Sequence, residues 1–146
     1  MKKFAGNLVL AIAALGLAPL AHAFDRDNGP VMCGTAADDT IWCTSARGME
    51  HGHWQQIPGA LRQVVVRERQ LWGVNRDGEI WYAADLRNPN WIRLEGRAKQ
   101  VSEGHGVLCV VNELDEIYCA SQGITTPNPQ WHRSPNGSKL SFISVD

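Results

Sequence analysis

Aromatic residues at regular spacing and four cysteines are the side chains in this sequence best suited to chemistry. Trp54, Trp91 and Trp131 recur 37 and 40 residues apart, and Trp42, Trp81 and Tyr118 recur 39 and 37 apart. An indole or phenol offers a flat π-surface with a polar N–H or O–H at its edge. Such rings could stack on the apolar faces of sugars, once per repeat, or they could be core between packed elements. Trp54, Trp91 and Trp131 each follow a polar stretch, where an aromatic is well placed to meet a ligand. Arg93 and Arg133 lie two residues after Trp91 and Trp131, with Gln56 in that place after Trp54. Trp54, Trp91, Trp131, Arg93 and Arg133 are therefore the candidate carbohydrate-binding residues. Asn75 and Asn112 end strand-like runs, where Asn commonly satisfies backbone groups at a turn.

Cys33, Cys43, Cys109 and Cys119 form two pairs with nine residues between members. An even count in an exported chain favours disulfides. A zinc site is the alternative, but structural zinc usually takes ligands two to four residues apart. Glu50, His51 and His53 could hold a divalent cation through neutral imidazole. The cluster is not repeated, and a solvated loop accounts for it, so no metal site is assigned. There is no Gly-x-Ser-x-Gly elbow, phosphate loop or dinucleotide fingerprint, which points to a non-enzyme without a cofactor.

These residues sit on elements that repeat. The run VMCGTAADDTIWCTS is followed by WQQIPGALRQVVV. LWGVNRDGEIWYAA is followed by WIRLEGRAKQVSE, and VLCVVNELDEIYCAS by WHRSPNGSKLSFISV. In the second unit, residues 71–75 and 79–83 read as strands around an Asp77-Gly78 turn. Residues 91–94 and 98–102 read as two more. The isoleucines before the second aromatic, Ile41, Ile80 and Ile117, point to the opposite strand face. In the outer units the cysteines flank the hairpin turn. Facing antiparallel residues come within disulfide range, which predicts Cys33–Cys43 and Cys109–Cys119. The middle unit is expected to have Gly73 and Tyr82 in those places, a turn shorter by one residue, and Trp72 in the core.

The pattern Trp54-x-x-Ile57-Pro58-Gly59-Ala60-Leu61-x-x-Val64, then Leu71-Trp72-Gly73-Val74-Asn75, then Ile80-Trp81, resembles the repeat of tectonin-type β-propeller lectins. Trp91-x-x-Leu94-x-Gly96 with Gln100-Val101-Ser102 repeats it. The likeness runs over residues 31–145. It implies six-bladed propellers and, in several members, glycan binding.

The expected fold is all-β, with three four-stranded antiparallel blades that make half of a six-bladed β-propeller. Propellers usually have four to eight blades, so two copies of this chain are expected to close the ring as a homodimer or larger ring. Residues 139–145 are expected to form an extra strand that fits the edge of the first blade.

Residues 1–23 read as a signal peptide. Lys2 and Lys3 precede an apolar run over residues 8–17, Pro19 interrupts it, and Ala21-His22-Ala23 fits a cleavage site. The run is too short to span a bilayer. Residues 24–146 then form one exported domain, periplasmic or secreted. Without Lys2 and Lys3, 12 basic residues face 15 acidic ones, a formal charge of −3. No basic stripe appears, which argues against nucleic acid as a partner. The alternative to glycan binding is a non-catalytic protein–protein interaction module or accessory subunit in the cell envelope.

Overall fold

The computed structural model of the chain describes residues 30–146, so the expected signal peptide lies outside the described residues. The fold is all-β, with three antiparallel sheets. The first holds β1 (Val31–Thr35), β2 (Thr40–Ser45) and β3 (Gln55–Ala60). The second holds β4 (Gln63–Arg67), β5 (Gln70–Val74), β6 (Glu79–Ala83) and β7 (Ile92–Arg97). The third holds β8 (Gln100–Gly104), β9 (Val107–Val111), β10 (Ile117–Ala120) and the short β11 (His132–Arg133). The expected count of four strands per sheet is corrected for the first, where no described strand precedes β1. A five-residue helix, α1 (Ala46–Glu50), follows β2, capped by Ser45 Oγ accepting from the Gly48 N–H. It occupies the start of the stretch expected to be loop.

Backbone register aligns the hairpins of the three units without gaps. Thr35 faces Ile41, Val74 faces Ile80 and Val111 faces Ile117, so all three turns have the same length. Each turn places one residue at positive φ, at Asp39 (67°), Gly78 (76°) and Asp115 (61°). Asp and Gly tolerate this left-handed geometry. The Asn75 side chain accepts from the N–H groups of Asp77 and Glu79, and Asn112 accepts from Leu114 and Glu116.

Both predicted disulfides form, each between directly facing residues with Cα atoms 4.1 Å apart. In the middle sheet the facing pair is Trp72 and Tyr82, not Gly73 and Tyr82. The expected shorter turn and the Gly73 assignment are therefore corrected. A Trp is too unlike a Cys for residue matching to align them, whereas the ladder does so directly.

Two buried clusters hold the sheets face to face. Ile41, Cys43 and Ile57 of the first sheet pack with Leu61, Leu71, Ala83 and Leu86. Trp72, Val74, Ile80 and Leu94 of the second pack with Ala98, Val101, Leu108 and Val110. Between the second and third sheets, the Gln63 amide donates to the Val101 carbonyl at 2.9 Å and accepts from the Val101 N–H at 2.8 Å.

Within the chain, the segment 140–146 forms no ladder strand and does not pair with β1. A lone bridge joins Lys139 to Glu116. The segment instead runs beside β8. The Gln100 amide donates to Ile143 O at 2.8 Å and accepts from Ile143 N at 3.1 Å, and Val145 N donates to Ser102 Oγ.

Candidate functional site: repeated inter-sheet clefts

Two equivalent clefts open where one sheet meets the next. The first, of about 200 Å³, is lined by Gly59, Ala60 and Leu61 on one side and Asn75, Trp81 and Trp91 on the other. The second, of about 260 Å³, is lined by Ile80, Gly96 and Arg97 facing Val110, Asn112, Tyr118 and Trp131. Corresponding positions of the repeat recur on corresponding walls.

Strand alternation builds the aromatic wall. Ile80 and Ile117 point into the core, so Trp81 and Tyr118 point to the other face and remain half-buried. Trp91 and Trp131 precede β7 and β11 and reach back to the preceding sheet. The Trp91 indole N–H donates to Pro58 O at 2.7 Å, and the Trp131 N–H donates to Glu95 O at 2.8 Å. The backbone beside them must lack side chains. A Cβ on Gly59 would lie 2.7 Å from Trp91 Nε1, and one on Gly96 would lie 3.3 Å from Trp131 Nε1. These tryptophans are thus clamps between sheets and cleft walls at once.

Arg93 faces Trp81 across the β6–β7 ladder, and Arg133 faces Tyr118 across β10–β11. Each guanidinium is held by the acidic residue immediately before the buried isoleucine of the hairpin, Glu79 before Ile80 and Glu116 before Ile117. Arg93 Nε lies 3.4 Å from Glu79 Oε1, and Arg133 Nη2 lies 2.6 Å from Glu116 Oε1. Asn75 and Asn112 donate their side-chain amides to Glu79 and Glu116 at 2.8 and 2.9 Å. Hydrogen bonding from Asn112, with Arg133 and Lys139 nearby, holds the Glu116 carboxyl below the ordinary glutamate pKa. The clefts therefore combine apolar ring faces with an ordered Asn–Glu–Arg chain.

Of the candidate binding residues, Trp91 and Trp131 line the clefts, and Arg93 and Arg133 stand beside them. Trp54 lies apart, 42% exposed, with no preceding sheet to clamp among the described residues. Matching positions in the first sheet carry Trp42, Thr40 and Gln56. The Trp42 N–H donates to Thr40 Oγ1 at 2.9 Å, and Gln56 faces Trp42. Sequence reasoning left Trp81 and Tyr118 open between sugar platform and core and read the asparagines as turn formers. The structure brings all four into the clefts. The available signal was their alternation with buried isoleucines. Among the described residues, no group of three His, Cys, Asp or Glu side chains is placed to hold a metal ion. No helix there is long and apolar enough to cross a membrane.

The family model of the Tectonin domain matches residues 24–146. No curated protein matches the chain.

Proposed function

Because this chain belongs to the tectonin family, we propose that it is an exported, non-catalytic carbohydrate-binding protein whose sites are the repeated inter-sheet clefts. One observation carries the reading: Trp81 with Trp91, and Tyr118 with Trp131, line equivalent clefts beside an Asn–Glu–Arg chain. Apolar sugar faces stack on rings, while ordered donors and acceptors fix the hydroxyls. Two disulfides fit an oxidising compartment, in keeping with the signal-peptide reading of residues 1–23.

The sheets act as blades of a propeller that two copies complete. Three blades fall below the usual four to eight, and two copies supply six. Shallow sites repeated around such a ring gain strength from multivalency. Binding to an immobilised glycan array tests the reading. Arg93→Ala and Arg133→Ala should each weaken the signal at unchanged far-UV circular dichroism. An array without any binding, with an envelope protein co-purifying, would favour the interaction-module alternative instead.

A further inference from the structure

Residues 140–146 occupy the place of a first strand without a sheet to belong to. Leu61 N donates to Asp39 O, Ala98 N to Gly78 O and Leu140 N to Asp115 O. Those acceptors are the positive-φ residues of the three turns. Leu61 and Ala98 enter β4 and β8, the first strands of the second and third sheets. Leu140 enters the segment whose Ile143 pairs with Gln100 as Val101 pairs with Gln63. By hydrogen bonding, this segment stands where the first strand of a fourth sheet would stand. The first sheet lacks that strand among the described residues.

Side-chain size matches the two ends. Gly34, Gly73 and Val110 hold the same register position, each one residue short of the residue that closes its turn. A Cβ on Gly73 would lie 2.4 Å from Leu61 Cδ1, so Leu61 fills the space that glycine leaves. In the third sheet the sizes are exchanged, and small Ala98 shares a buried cluster with Val110. At Gly34 nothing lies within 4 Å of a Cβ. Leu140 is 49% exposed, whereas Leu61 and Ala98 are 2% and 1% exposed. One end carries an unfilled glycine site and the other an uncovered leucine. Exposed Met32 and Trp54 accompany the first end, and Phe142 accompanies the second.

We propose that residues 140–146 of one copy pair with β1 of a second copy as its missing first strand, seating Leu140 over Gly34. Applying the β4–β5 and β8–β9 registers places Ile143 opposite Gly34 and Val145 opposite Met32. The donated strand brings the partner's third sheet against Trp42 and Trp54. This completes a third cleft that neither copy forms alone. Its Thr40 and Gln56 replace the carboxylate and guanidinium of the other clefts, so it takes an uncharged ligand surface. The inference rests on the two-copy reading of the ring and not on sugar binding.

Light scattering across a dilution series of the mature chain tests it. The expected wild-type result is a dimer. Gly34→Val fills space that is empty in one copy, so each chain folds while association weakens at least tenfold. Leu140→Ala combined with Gly34→Val recreates the Ala98 and Val110 combination and restores the dimer. A wild-type monomer would overturn both this proposal and the two-copy ring. A wild-type dimer indifferent to Gly34→Val, or one that the second substitution fails to rescue, would overturn the strand donation alone.

Discussion

Trp72 and Tyr82 face each other across the β5–β6 ladder, ring centroids 5.2 Å apart, at the register position that holds a disulfide in both other sheets. The middle sheet thus replaces a covalent staple with an aromatic pair. The Trp72 N–H donates to Ile124 O at 2.9 Å, and the Tyr82 hydroxyl accepts from Gln70. Both polar edges are satisfied while the rings stay buried.

The two solutions predict different responses to reductant. Each disulfide closes a loop of sequence separation 10, which the chain-entropy model values at about 2.5 kcal/mol. Reduction should lower unfolding stability by roughly that amount per bridge, as read by urea denaturation with and without reductant. Trp72→Ala should cost about 3–5 kcal/mol under either condition, because the lost term is core packing and not a cross-link.

Gly59 and Gly96 sit at φ values of 130° and 113° against the clamping indoles. Gly59→Ala should destabilise by roughly 1–3 kcal/mol, through backbone strain and displacement of Trp91. Gly96→Ala should cost less, because its Cβ would meet Trp131 at 3.3 Å and not at 2.7 Å. Thermal unfolding gives the order, and a red shift of indole emission reports exposure of the ring.

Arg93 and Arg133 are half-exposed, with side chains 50% and 52% accessible. Exposed ion pairs contribute about 0–1 kcal/mol, so Arg93→Ala and Arg133→Ala should barely move the melting temperature. A fall in glycan-array signal with unchanged melting would assign these residues to recognition. Equal signal in both variants would remove the guanidinium groups from the site.

Glu116 responds to pH in a defined direction. Its pKa is lowered by the Asn112 amide first, then by Arg133 and Lys139. A depressed carboxylate stabilises the fold above its unfolded pKa, and that contribution is lost as pH falls through the folded value. Carbon-detected NMR titration should find Glu116 titrating below the ordinary glutamate range. Asn112→Ala should move it back up, and Arg133→Ala should move it by less.

Much of this was legible in the sequence because strand alternation and turn chemistry are local. Ile41, Ile80 and Ile117 marked the core face, and the spacing of the cysteines around a hairpin gave both bridges. The equivalence of Trp72 with Cys33 and Cys109 was not legible, since only the ladder equates residues so different in kind. The clamps of Trp91 on Pro58 and Trp131 on Glu95 were hidden for another reason. They join residues 33 and 36 apart in neighbouring sheets, and a strand pattern carries no information about what lies across the gap. For the same reason Asn75 and Asn112 read as turn formers alone, although each also lines a cleft.

The first two repeats each spend their last strand on the sheet that follows: β4 closes the first unit yet opens the second sheet, and β8 closes the second unit yet opens the third. No sheet can melt alone without surrendering a strand to its neighbour. Thermal denaturation should therefore be a single cooperative event, with disulfide-bearing and disulfide-free sheets losing structure at one temperature. An array of repeats that reads as modular in sequence would behave, on heating, as one indivisible unit.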